Sequence, residues 1–155
     1  MRINVIPVDY LANQHLIAEA REIKMLPKAL KRTLNSKNGL NWSKIPKKYT
    51  LNTGHGYFFY DKLDFIITRF DQLLYECARR GFDFKSDEIE IDGFEQSHYN
   101  SYEPTITDME VNVERILERI KAKPDWYRYG SVKMCYEDWE LFYNGMIEKM
   151  RMGCI

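Results

Sequence analysis

Leu11-Ala12-Asn13-Gln14-His15-Leu16-Ile17-Ala18-Glu19-Ala20-Arg21-Glu22-Ile23 is the stretch on which the fold class turns. Ala12, Leu16, Ala20 and Ile23 recur at steps of three and four, the spacing of one buried helical stripe. Gln14 and Arg21 are seven residues apart, as are His15 and Glu22, and seven residues of helix return to within about 20°. These four polar side chains therefore share the face roughly opposite the stripe. That face is either merely solvated or a site, and periodicity does not choose between the two. Upstream, Asp9 of Pro7-Val8-Asp9 offers an N-cap. Downstream, Pro27 predicts a kink or interruption, with Leu30 and Leu34 carrying the stripe beyond it.

Working outward, residues 35–52 read as a polar, Lys-rich loop broken by Gly39 and Pro46. A second helix is expected over 57–80, burying Phe59, Leu63, Ile66, Phe70, Leu73, Leu74 and Cys77, with Gly81 as its C-terminal cap. Residues 82–106 read as an irregular acidic connection. A third helix is expected over 108–121, burying Met109, Val113, Ile116 and Ile120 and ending before Pro124. The tail, 136–150, reads as a fourth, amphipathic helix. No convincing strand pair is visible. The fold class is mainly α: one compact helical domain over 1–155, with three main helices and a C-terminal helix joined by long irregular loops. Residues 1–133 form its body and 134–155 a helical extension.

A chain of 155 residues suits one domain and is long enough to bury a core without metals or disulfides. Cys77, Cys135 and Cys154 are odd in number and form no CxxC pair, which argues against a disulfide framework or a zinc site. No apolar run approaches a membrane span and no signal-peptide core opens the chain, so the expectation is a cytoplasmic protein with no membrane partner. Lys and Arg balance Asp and Glu at 23 each, yet they are unevenly placed. Residues 1–50 carry ten basic side chains against three acidic, while 83–114 carry ten acidic against Lys85 alone. Residues 115–133 turn basic again. Such segregation is the sequence footprint of a polyanion-binding side, although charges scattered over a solvated surface would read the same way.

The stretch from Leu11 to Glu22 also resembles the signature of the phage-type pyrimidine-dimer DNA glycosylase/AP lyase family, the UV endonucleases. Three further blocks match in order: Met1-Arg2-Ile3-Asn4; Gly54-His55 with Phe58-Phe59-Tyr60-Asp61-Lys62-Leu63; and Pro124-Asp125-Trp126-Tyr127-Arg128-Tyr129. The resemblance spans about residues 1–133. It implies that Glu22 is the catalytic carboxylate, with Arg21 its neighbouring arginine. It implies DNA contacts at Arg2, Gln14, His15, Arg115, Arg119, Tyr127, Arg128 and Tyr129. Arg115 and Arg119 are i, i+4 neighbours able to face one run of phosphates. Tyr127, Arg128 and Tyr129 would combine stacking rings with a cation, although Trp126 and Tyr127 would serve equally as core aromatics.

The implied reaction excises cyclobutane dimers from double-stranded DNA. The chain's own α-amine attacks C1′, a Schiff base forms, the base leaves and β-elimination nicks the strand. Amino-terminal amines in general titrate near 7.7–8, well below lysine's 10.4, so they supply a neutral nucleophile without cofactor or metal. Glu22 would stabilise the cationic imine and shuttle the eliminated proton, and Arg21 would hold a phosphate. In one respect the chain departs from the family, which usually places Thr between the initiator Met and the Arg. Here Met1 directly precedes Arg2, a large second residue that normally blocks Met removal, so the Met1 amine stands where the Thr amine would. Ala20 replaces a large aromatic, and Met25 stands where some members have Arg, with Lys24 and Lys28 close enough to act as phosphate contacts.

The expected protein is thus a monomeric repair enzyme of a bacterial or phage-infected cell. Two alternatives share the same residues: a glycosylase of the same mechanism for another damaged or modified base, and a damaged-DNA-binding module without catalysis. The presence of Glu22 favours catalysis. A helical protein-binding domain would leave Arg115, Arg119 and Tyr127–Tyr129 without a purpose.

Overall fold

The computed structural model describes residues 1–84 and 88–154. Lys85, which entered the charge count, and residues 86–87 of the expected acidic connection lie outside the described residues, as does residue 155 of the expected extension. The structure is mainly α, as the periodicities imply. Its helices are α1 (Asn13–Glu22), α2 (Met25–Leu34), α3 (His55–Phe58), α4 (Leu63–Arg79), α5 (Ile106–Ala122) and α6 (Tyr136–Arg151). One hairpin, β1 (Arg128–Tyr129) with β2 (Val132–Lys133), completes the regular structure. The chain packs into two compact units that interleave along the sequence. One comprises Met1–Ile3 and the described part of 18–103; the other comprises Asn4–Ile17 and the described part of 104–155. Helix α1 begins in the second and ends in the first.

In the first unit, Ala20, Ile23, Leu26 and Leu30 are fully buried, so the stripe holds, but Leu34 is exposed. The interruption falls at Ile23–Lys24, earlier than the proline itself. The reason is steric: a proline ring collides with the carbonyl four residues back, here that of Ile23. With α1 ended there, Pro27 occupies the first turn of α2, where a missing N–H costs nothing.

The second expected helix is also split. Side chains capture three carbonyls that a continuous helix would use: Lys62 Nζ donates to Phe58 O (2.8 Å), Asn100 Nδ2 donates to Asp61 O (2.8 Å), and His98 Nδ1 lies 2.7 Å from Tyr60 O. Past this break α4 runs to Arg79 and closes as expected. Gly81 has φ +84°, Phe82 N–H donates to Cys77 O (2.8 Å) and Gly81 N–H to Ala78 O (3.0 Å), a Schellman termination. Glu19 on α1 and Arg69 on α4 form a bidentate ion pair, at 2.7 and 3.0 Å, with both side chains almost solvent-free.

In the second unit, Leu11, Ala12 and Leu16 are fully buried. Asp9 is not the N-cap residue of α1, a position that falls at Ala12; it sits in a 3-10 turn, Val8–Tyr10, that precedes the helix. Helix α5 opens on a capping box in which Thr105 and Asp108 satisfy one another's backbone N–H groups. Its buried stripe is Val113, Ile116 and Ile120, as expected, whereas Met109 is half-exposed. Helix α6 packs beside α5, burying Trp139, Tyr143 and Met146, and Arg151 pairs with Glu110. The hairpin is absent from the sequence reading because each strand has two residues, too few for an alternating pattern. Its signal is Gly130-Ser131: Gly130 has φ +59° and Ser131 does not, the pattern of a type II′ turn.

The buried Glu19–Arg69 pair yields a prediction. Arg69→Leu strands a carboxylate in the core and should cost about 3–5 kcal/mol in chemical denaturation, whereas the double variant Glu19→Leu/Arg69→Leu should recover most of that loss.

Candidate active site

The first unit builds a site around the chain's own beginning. A segment outside regular structure carries polar N–H groups that need partners, and residues 1–6 join no sheet among the described residues. The Glu22 carboxylate takes the first: Arg2 N–H donates to Glu22 Oε2 at 3.1 Å. Covalent geometry then leaves the Met1 α-nitrogen no more than about 3.6 Å from that same peptide nitrogen. Ile3 N–H donates to His55 Nε2 at 2.8 Å, and the Tyr49 hydroxyl donates to the Ile3 carbonyl at 2.8 Å. Residue 3 is thus held on both sides of its backbone. Ile3 itself is fully buried, Glu22 is half-buried and Met1 is exposed.

His55 is fixed in turn. Its Nδ1 lies 2.7 Å from Thr50 O, an acceptor only, so Nδ1 carries the proton and Nε2 is the lone-pair side that receives Ile3 N–H. Burial lowers its pKa, the Thr50 hydrogen bond opposes this, and the positive charges of Arg2 and the Met1 amine lower it further. Gly54 makes the turn possible. Its φ is +92°, and a Cβ there would lie 2.9 Å from Pro46 Cγ, so it answers both a conformational and a steric demand. Gly56, one residue beyond His55, lets the Met1 side chain approach: a Cβ there would stand 3.1 Å from Met1 Cε.

The other expected residues of this unit lie around α1 and α2. Arg21 is exposed. Lys24 is half-buried, its Nζ 5.5 Å from the centroid of the Phe70 ring. Lys28 is exposed on a groove that it shares with Lys31, Glu90 and Asp92.

In the second unit, the start of α1 organises the aromatic–basic segment. Asn13 uses both ends of its amide on Gly130: Nδ2 donates to the carbonyl (2.7 Å) and Oδ1 accepts the N–H (3.0 Å). Gln14 does the same one step away, donating to Trp126 O (2.7 Å) and accepting from Arg128 N–H (3.1 Å). The Tyr129 hydroxyl donates to Asp9 O at 2.7 Å. Tyr127 is buried and stacks on His15, with ring centroids 4.6 Å apart, so its ring faces inward. The exposed ring of the motif is Trp126, beside an exposed Arg128. On α5, Arg115 pairs with Glu118 at 3.3 Å, while Arg119 is exposed. Asn112, fully buried, accepts Val5 N–H (2.7 Å) and Ile6 N–H (3.2 Å) and donates to Asn4 Oδ1 (2.7 Å).

Sequence reasoning gave no role to His55, Tyr49, Asn112 or Asn13. His55 left a trace in the Gly54-His55 pair and Asn13 in the Leu11–Glu22 block, each without a role. Among the described residues no three His, Cys, Asp or Glu side chains are grouped to hold a metal ion, and no helix is long and apolar enough to cross a membrane.

A mainly helical chain with its amino terminus folded onto a helix-borne carboxylate, and with exposed arginines and an exposed tryptophan, has the outline of a small DNA-repair enzyme. Residues 1–90 match the family model for pyrimidine dimer DNA glycosylase, more than half of the chain, and the chain belongs to that family. Its substrate is accordingly DNA, and its broad activity that of a pyrimidine dimer glycosylase. The matched stretch contains Met1, Arg2, Arg21, Glu22 and His55; Arg115, Arg119 and Tyr127–Tyr129 lie beyond it.

The turn that presents His55 gives a second prediction. Gly54→Ala forces a left-handed residue against Pro46 and should cost about 2 kcal/mol, or roughly 4–8 °C in the melting midpoint, measurable by scanning calorimetry.

Proposed function

We propose that the protein excises UV-induced cyclobutane pyrimidine dimers as a glycosylase with AP lyase activity, the nucleophile being the α-amine of Met1. The observation that carries this reading is the bond from Arg2 N–H to Glu22 Oε2, which fixes a carboxylate one peptide from the amine.

In the first step the neutral amine attacks C1′ and the glycosidic bond breaks, the base leaving with the electron pair. Loss of the amine proton and opening of the sugar ring give an imine between the chain and C1′. A base then removes a C2′ proton, the C3′–O bond breaks, and the strand is nicked with the phosphate as leaving group. Water hydrolyses the imine and frees the amine. Glu22 stabilises the cationic imine and carries the C2′ proton. Each step balances with water alone, so the scheme calls for no cofactor.

Arg21 and Arg2 hold phosphates beside the reacting sugar, with Lys24 and Lys28 extending the contact. In the second unit Arg115, Arg119 and Arg128 are phosphate contacts of their own, and Tyr129 follows Arg128 in the chain. Gln14 acts there through the backbone of Trp126 and Arg128, because both ends of its amide are already engaged. His15 and Tyr127 support the same segment as a stacked pair.

Borohydride trapping on two duplexes tests the reading, one with a single thymine dimer and one with an abasic site. An adduct on the Met1 amine with both, located by mass spectrometry, is expected. Trapping on the abasic duplex alone would assign a different base, and no trapping with intact binding would leave a damage-recognition module. Glu22→Gln should keep duplex binding within about threefold while strand cleavage falls at least about 100-fold. Affinity should also fall steeply with salt, and Arg119→Ala should make the slope of log K against log salt shallower by about one. A flat salt dependence would contradict phosphate-dominated binding.

A further inference from the structure

We infer that His55 is a positioning residue for the reacting amine: as the neutral Nδ1–H tautomer it accepts Ile3 N–H and, with Tyr49 on the Ile3 carbonyl, fixes the backbone from which residues 1 and 2 project. This inference rests on the proposed amine nucleophile and adds to it the device that aims it.

The geometry leaves His55 little choice. Its Nδ1 proton is committed to Thr50 O at 2.7 Å, and Nε2 meets an N–H at 2.8 Å. Tyr49 and Phe59 stand edge-on to the ring, with centroids 5.7 and 5.6 Å away, so the imidazole cannot rotate without displacing buried aromatics. A helical carboxylate alone is a poor aiming device, because the one hydrogen bond from Arg2 N–H to Glu22 leaves rotation about it open. Clamping both the N–H and the C=O of Ile3 removes rotation about the chain direction as well. The gain is entropic: an amine held near its attack line needs no search after substrate binds.

The clamp is also sensitive to protons. Protonation would set an Nε2–H against Ile3 N–H, two donors facing each other, and the contact would be lost. The charges that act on the ring are the Arg2 guanidinium and the Met1 amine, the titratable Tyr49 stands edge-on to it, and Glu22 is engaged on Arg2 N–H. Burial and these two cations hold the pKa below 6.5. The sign follows. The clamp is intact above the ordinary histidine value and weakens as pH falls from there through the lowered one.

Two consequences separate this role from a merely structural one. An amine nucleophile gives a rate that falls about tenfold per pH unit on the acid side. If His55 aims it, a second proton enters at lower pH and the fall steepens to about a hundredfold per unit. His55→Gln keeps an acceptor where Nε2 stood but does not titrate, so its profile should keep the single-proton slope throughout. It should retain single-turnover trapping within about fivefold of the parent, whereas His55→Leu should lose about 10- to 100-fold in kcat with KM changed by less than about twofold.

The experiment is borohydride trapping by the full chain on an abasic duplex between pH 5 and 8, for the parent and both variants, with folding checked by circular dichroism. Alongside it, nitrogen-resolved NMR of the parent reads the His55 tautomer without any substitution. A steepening acid limb in the parent, absent in His55→Gln, with the Nδ1–H tautomer at neutral pH, is the expected result. Equal single-proton profiles in parent and variant would overturn the inference while leaving the amine mechanism standing. The Nε2–H tautomer would overturn it even if both variants failed to fold. Absence of trapping by the parent at every pH would instead remove the proposed mechanism.

Discussion

Residues 2–6 lie outside any helix and join no sheet among the described residues, and the needs of their backbone set the terms for this structure. Residues 2–6 are largely buried, and buried N–H groups without partners cost about 1–3 kcal/mol each. A β-ladder is the usual answer. Here the partners are side chains: Glu22 for residue 2, His55 and Tyr49 for residue 3, and Asn112 for residues 5 and 6. Each partner must then be delivered to its place. That requirement accounts for a glutamate on the last turn of α1, a left-handed glycine ahead of His55 and an asparagine buried within α5.

Because side chains replace the ladder, the site is built from chemistry rather than from backbone alone. A ladder would pair residues 2–6 with a strand and offer only more amides. Glu22 brings a charge and His55 a titratable ring to within hydrogen-bond reach of the same segment. Satisfying the backbone and equipping the amino terminus are thus one task performed by the same residues. A similar economy appears in the second unit, where Asn13 and Gln14 use their whole amides to shape the segment that exposes Trp126 and Arg128.

How much of this was legible depended on range. The α5 and α6 helices and the Schellman glycine Gly81 follow from local rules and stand where the sequence put them. The breaks in the first two expected helices were harder. At Pro27 the right cause was visible, but the steric effect acts four residues back, so the interruption appears at Ile23–Lys24. At 59–62 the cause is distant: His98 and Asn100 take carbonyls of residues nearly forty positions away, which no helical periodicity records. The side chains that partner residues 2–6 divide similarly. Glu22 was singled out through a family resemblance, and the structure joins it to Arg2 by one hydrogen bond. Asn112 was not, because a lone asparagine between Val111 and Val113 looks like a polar turn of an amphipathic helix.

Helix α1 shows why position alone would not have identified its carboxylate. Glu19 and Glu22 are one turn apart, and either is close in sequence to the Arg21 that marks the family signature. Their surroundings separate them. Glu19 is closed off from solvent and gripped by both arms of the Arg69 guanidinium, so its charge is spent on holding α1 against α4. Moving a proton through it would leave Arg69 buried without its counter-charge, a penalty of several kcal/mol. Glu22 is half-buried, takes a single neutral N–H, and pairs with no cation among the described residues. Its charge is not tied up in a buried ion pair. The same helix therefore carries one carboxylate closed into a buried ion pair and one that holds the backbone of residue 2, and the difference is made by the arginine that faces the first and is absent from the second.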